Sequence, residues 1–139
     1  MSDNPIEASE PLFDLLFAAL DHGIDSVRLG GPLIPFVMIQ RGEERALMRF
    51  VSELLEDAVA EARRYIEENA TTLQAYALTV DGFVTINDQK FDAILVEAEE
   101  RGSGFALQFA QRYTPFDGDT PLETIGNAAY LGKLEGKLT

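Results

Sequence analysis

The stretch DAILVEAEERGSGFALQFAQRY, residues 92–113, sets Glu97, Glu99 and Glu100 directly behind an apolar run. Carboxylates two positions apart on a strand project from one face, about 6–7 Å apart at their backbones. That spacing suits a shared cation, or an acid and a base flanking a reacting bond. A hard cation, however, asks for about six oxygens, and an acid–base pair asks for a cleft with partners. No neighbouring motif supplies either, and Glu99 and Glu100 lie beside a turn, where acids are commonly just solvated. The group therefore reads as the polar rim of a sheet or an interface. Should a ligand bind, Glu97, Glu99, Gln108 and Arg112 are the candidates, and Glu97, deeper in its strand and beside Gln108, ranks first.

Other chemistry is thinly represented. His22 is the only histidine and there is no cysteine, so neither a zinc site of usual composition nor a thiol nucleophile is expected. His22 precedes Gly23, where a helix end would favour a cation. Gly30 and Gly31, in LGGP, lack the spacing of a phosphate loop. The Asp117, Gly118, Asp119 run lacks the alternating ligands and distal glutamate of a calcium loop. Both read as turns. No catalytic residue, metal or cofactor is assigned.

The elements that must position these residues are clearer. SEPLFDLLFAALDHG reads as a helix capped by Ser9, with Pro11 in its first turn and Gly23 at its end. Its apolar face is too wide for a lone surface helix. A short strand is expected at 26–29, a strand at 35–40, a turn at RGEE, and a second strand or helix lead-in at RALMRF. Ser52 then caps an amphipathic helix to Asn69, with Leu54, Leu55, Ala58, Val59, Ala62, Tyr65 and Ile66 at three- and four-residue steps. On its wet face Arg63–Glu67 and Arg64–Glu68 lie four apart.

The period then changes to two. Asp81 and Gly82 give a hairpin signal, residues 87–90 turn the chain again, and Gly102 and Ser103 suit a two-residue turn with glycine first. The expectation is a meander of strands at 73–80, 83–86, 91–100 and 104–113. Its turns place Ala98 opposite Leu107, Val96 opposite Phe109 and Glu97 opposite Gln108. One face then collects Tyr76, Leu78, Val80, Phe83, Ile94, Val96, Leu107 and Phe109, and should pack on the helix ending at Asn69. The other collects Ala75, Ala77, Thr79, Ala93, Leu95, Ala106 and Ala110 with the polar candidates. Small residues admit a close second layer, either the first helix or a second subunit. Leu12, Leu16, Phe17, Ala93, Leu95, Ala106 and Ala110 are accordingly the interface candidates.

The fold class is thus α+β, an antiparallel meander packed on one main amphipathic helix in the order α-β-β-α-β-β-β-β. That order resembles the profilin and roadblock groups of small domains, a likeness of element order alone. Residues 1–10 are expected to form a flexible tail, 11–114 a single domain, and 115–139 a loop-rich extension packing on it. Within the extension, residues 122–125 suit an edge strand and 128–131 a cover for the core.

The 139 residues suit one hydrophobic core. The formal charge of −13 repels phosphate backbones, so no nucleic-acid partner is expected. No run approaches the roughly 20 apolar residues of a membrane span, and MSDNPIEASEP has no signal-peptide character. A cytoplasmic location is the expectation. The absence of a catalytic constellation, the over-apolar first helix and the alanine-rich face together predict a non-enzymatic, homodimeric interaction or regulatory module. Two alternatives remain: a small-ligand binder or enzyme at the Glu97, Glu99, Gln108 and Arg112 end, and an acidic inhibitor, of immunity or antitoxin type, of a basic partner protein.

Overall fold

Ser9 opens helix α1 (Glu10–Val27) by accepting the Leu12 amide on its hydroxyl at 3.2 Å, and Pro11 occupies the first turn, where no N–H is missed. The computed structural model describes residues 8–138. Of the tail expected at 1–10, residues 1–7 lie outside this range, while Ser9 and Glu10 belong to the start of α1. Gly23 does not end the helix, which runs through the short strand expected at 26–29 as far as Val27. The glycine serves packing instead. A Cβ there would meet Ile94 Cγ2 at 2.9 Å and Thr79 Cγ2 at 3.2 Å, so its absence lets the helix press onto the sheet. His22 is consequently inside the helix, with its ring edge-on to Phe36 and Nε2 3.1 Å from Arg49 Nη2.

The remaining elements are β1 (Phe36–Arg41), β2 (Glu44–Arg49), α2 (Leu55–Glu68), β3 (Ala75–Ile86), β4 (Gln89–Glu100), β5 (Phe105–Thr114), β6 (Glu123–Thr124) and β7 (Ala129–Glu135). They form the expected α+β fold, in the expected order with one further strand at its end, as a seven-stranded antiparallel sheet ordered β2-β1-β3-β4-β5-β6, with β7 also on β5. Helix α2 begins after Ser52, at an N-cap Leu54 that offers no side-chain cap, although Glu56 and Asp57 in the first turn still suit the dipole.

The expected register between β4 and β5 is observed: Ala98 faces Leu107, Glu97 faces Gln108 and Val96 faces Phe109. The expected turn at Asp81 and Gly82 is not. β3 passes straight through both residues, and the reversal falls at Asn87 and Asp88, whose φ angles of 52° and 66° are the left-handed pair of a two-residue hairpin turn. Asparagine and aspartate tolerate that region better than other side chains. A turn there lets β3 and β4 pair over their full 12-residue lengths, from Ala75 opposite Glu100 to Ile86 opposite Gln89. A reversal at Gly82 would forfeit most of that ladder. Gly82 answers a different need, since a Cβ on it would lie 3.0 Å from Leu95 Cδ1.

One consequence is a change of face for the first half of β3. Tyr76 and Leu78 stand opposite Glu99 and Glu97, not beside Phe109, while Ala75, Ala77 and Thr79 move to the Phe109 side. A second correction follows. The bulky face, with Ile94, Val96, Leu107 and Phe109, packs on α1, whose Leu12, Leu15, Leu16, Ala19 and Leu20 are buried there. Helix α2 lies on the opposite face, where Ala62 and Ile66 meet Val37, Ile39, Tyr76 and Leu78. The sheet is therefore sandwiched, one helix to each face.

The hairpin tip of β3 and β4 projects as a two-stranded arm, because β1 ends opposite Thr79 and β5 pairs no further along β4 than Asp92. In the segment after Pro115, β6 supplies the expected edge strand, and residues 129–135 form a further edge strand, β7, with a bulge against Gln108 and Phe109.

Candidate functional site

Glu97, Glu99 and Glu100 each hold a different part of the chain. Glu97, 5% exposed, accepts the Tyr76 hydroxyl at 2.8 Å and the Arg63 guanidinium at 3.1 Å. Arg63 comes from α2, so this ion pair ties the helix to the sheet rather than supporting an Arg63–Glu67 pair along its surface. Glu99, 0% exposed, accepts the backbone amides of Lys137 at 2.7 Å and Leu138 at 3.2 Å. Gly136 makes this approach possible, since a Cβ there would lie 2.6 Å from Glu99 Oε2 and 2.8 Å from the Gly104 carbonyl. Glu100, on the other face, accepts both the amide and the hydroxyl of Ser9. A side chain that caps α1 is thereby itself fixed to the end of β4.

The neighbouring Arg101 completes this corner by donating from Nε to the Leu73 carbonyl at 2.9 Å, and from Nη2 to the Ala70 carbonyl. These carbonyls follow the C-terminus of α2, where a cation is favoured.

Of the ligand-binding candidates, Glu97 and Gln108 stand directly opposite one another and Glu99 lies two residues on. Arg112 is not gathered with them. It stands opposite Ala93, four residues further along the ladder on the same face, with its guanidinium 4.8 Å from the centre of the Phe91 ring. Glu97 and Gln108 share a groove of about 150 Å³ with Arg63, Leu78, Val80, Leu95 and Val96. Sites that hold drug-sized ligands usually measure about 300–1,000 Å³. Among the described residues, no group of three His, Asp or Glu side chains is placed to hold a metal ion.

Of the interface candidates, Leu12, Leu16, Ala93, Ala106 and Ala110 are buried within the chain itself, whereas Leu95 is half-buried and Phe17 is 44% exposed. The wide apolar face of α1 is thus largely used by the chain's own sheet. LGGP and the Asp117, Gly118, Asp119 run are turns, with Gly30 and Gly31 at positive φ and Asp117 accepting the Asp119 and Thr120 amides.

Two tyrosines are sensitive to this packing. Burial, and then the carboxylates of Glu97 and Glu99, push the Tyr76 hydroxyl well above the usual tyrosine range. Burial and Asp81, which accepts the Tyr113 hydroxyl at 2.7 Å, push Tyr113 the same way. The fold holds both as neutral phenols. The stability they contribute is therefore complete below the ordinary tyrosine pKa of about 10, and is lost as the pH climbs past it toward the folded values. In a phenolate absorbance titration, Tyr76 and Tyr113 should remain protonated beyond that point until the protein unfolds. The late portion should shrink in both Tyr76→Phe and Tyr113→Phe. Ionisation of Tyr76 and Tyr113 near the ordinary pKa of about 10 in folded protein, seen as no late portion for either phenylalanine variant to remove, would contradict these contacts.

Tyr76, Arg63 and Gly136 are the site residues that sequence reasoning missed. Reading Asn87 and Asp88 as the turn would have placed Tyr76 opposite Glu99 and on the same face as Glu97. Nothing local marks Arg63 or Gly136, because their partners lie 34 and 37 positions away. A scan against protein-family models gives no match to this chain, and neither does a search of curated proteins or of solved structures. Among the described residues, no helix is long and apolar enough to cross a membrane.

Proposed function

We propose that the protein is a non-enzymatic protein-interaction module that works in the cytoplasm as a homodimer. The observation that carries this reading is a continuous exposed apolar surface at one end of the molecule. Ile34, Val51 and Leu55 line one groove there, Leu55 and Phe83 line the next, and the two grooves share Pro32 and Leu33. Val51 is 74% exposed, Phe83 58% and Leu55 51%. Single exposed apolar side chains are ordinary, but a contiguous patch of this kind marks an interaction surface.

The acids support the same reading from the other side. Glu97, Glu99 and Glu100 spend their oxygens on the chain's own hydroxyl, guanidinium and amide groups. Multi-angle light scattering at micromolar concentration tests the reading. A mass near twice 15.3 kDa is expected, and a monomer of 15.3 kDa throughout the concentration series would overturn it.

A further inference from the structure

The projecting arm of β3 and β4 has a side with no backbone partner among the described residues, bordered at residues 81–83 by the groove that Pro32, Leu33 and Leu55 line. The ladder between β1 and β3 stops at Phe36 opposite Thr79, and among the described residues no backbone hydrogen bond reaches the outer edge of residues 81–86. Which groups point outward follows from the turn. A two-residue hairpin loop makes the flanking residues, Ile86 and Gln89, a hydrogen-bonded pair, and pairs alternate from there along an antiparallel ladder. Ile86, Val84 and Gly82 therefore bond to β4, while the N–H and C=O groups of Thr85, Phe83 and Asp81 face outward.

Open strand edges attract other strands, and proteins commonly blunt them with charge, proline or bulges. The two outer edges of this sheet follow that rule. Strand β2 exposes Glu44, Arg45 and Arg49, and β7 exposes Lys133 and Glu135 beside a bulge. The open side of β3 does not. Residues 81–86 read DGFVTI, with one charge and three β-branched residues, and Phe83 is exposed at the margin of the apolar patch.

The sequence of this edge also suits itself. Because outward groups occupy odd positions, an antiparallel copy must align odd with odd. The register centred on Phe83 sets Phe83 against Phe83 and Asp81 against Thr85, and on the other face Gly82 against Val84. An aromatic pair and an acid facing a hydroxyl result, with no two like charges opposed. We propose that the homodimer forms here, by antiparallel addition of the β3 edge of one copy to the β3 edge of a second, making a four-stranded sheet from two arms. This rests on the dimeric reading above and names its contact surface. A two-fold arrangement is the commonest for such isologous contacts. Since each copy carries −13, added salt should strengthen the pairing by screening, whereas a basic partner would be released by salt.

The test uses the full chain and two edge variants, measured by light scattering with circular dichroism as the check on folding. Thr85→Pro removes an outward N–H and leaves the bonds to β4 in place. Phe83→Lys alters a side chain that is 58% exposed and whose one ring contact among the described residues is the Lys90 ammonium 4.1 Å from its centre, and it decides the matter if the proline variant fails to fold. The wild type is expected near twice 15.3 kDa and both folded variants near 15.3 kDa. The chain has no cysteine, so Phe83→Cys gives one thiol per copy, and air oxidation should yield a disulfide-linked dimer. Folded variants that stay dimeric, with no cross-link through F83C, would overturn this surface and leave the dimer standing. A monomeric wild type would overturn both, and a monomer that instead took up an extended basic peptide would give the edge a different occupant.

Discussion

Phe109→Ala should lower the unfolding free energy by about 3–5 kcal/mol, read as a fall in the urea midpoint at unchanged slope. The ring is 5% exposed and sits where three elements converge. Phe13 and Phe17 of α1 meet it edge-on at 6.3 and 6.2 Å between centroids, and Tyr130 of β7 meets it at 5.4 Å. Truncation would leave a cavity bordered by a helix and two strands, none of which is free to collapse alone. Glu67→Ala, on the exposed side of α2, is the control and should stay within about 0.5 kcal/mol of wild type. A loss below about 1 kcal/mol at Phe109 would show that the α1 face is not the core described here.

Glu99→Ala should cost about 2–4 kcal/mol, more than its place in an acidic protein would suggest. Its carboxylate is buried and holds the amides of Lys137 and Leu138, and Leu138 in turn fills the core around Tyr76, Leu73 and Ile66. Removing the side chain strands buried N–H groups and loosens an apolar residue together. The effect should therefore be shared with Leu138→Ala. In a double-mutant cycle the two losses should overlap by about 1 kcal/mol or more, whereas simple addition would show that Glu99 does not hold the segment. Glu99→Gln separates charge from shape, because its single remaining acceptor can serve only one amide well.

Much of this fold was legible from residue order. The Ser9 cap, the α2 periodicity and the β4–β5 register all rest on signals within a few positions, and such signals survive folding. The face of Tyr76 did not, because two turn candidates competed along one alternating run. Asp81 with Gly82 has the stronger dipeptide preference, but Asn87 with Asp88 permits the longer ladder, and pairing over the whole strand outweighs one turn. The end of α1 was misplaced at Gly23 for a related reason: the glycine answers to Ile94, 71 positions away. The roles of Glu97, Glu99 and Glu100 were hidden most completely. Their residue types and spacing were visible, but the groups that occupy them come from α2, from the segment after β7 and from the start of α1.

The end of β4 also bears on the order in which the chain assembles. Apart from β1 with β3 across α2 and β5 with β7 across β6, strands that adjoin in the sheet adjoin in sequence, so the ladder closes small loops at modest entropic cost. The bond from Ser9 to Glu100 spans 91 positions and that from Leu138 to Glu99 spans 39. Once the meander has brought their partners near, most of those spans are already closed. The two contacts act as late clasps, so fraying on warming begins there while the hairpin of β3 and β4 stays zipped.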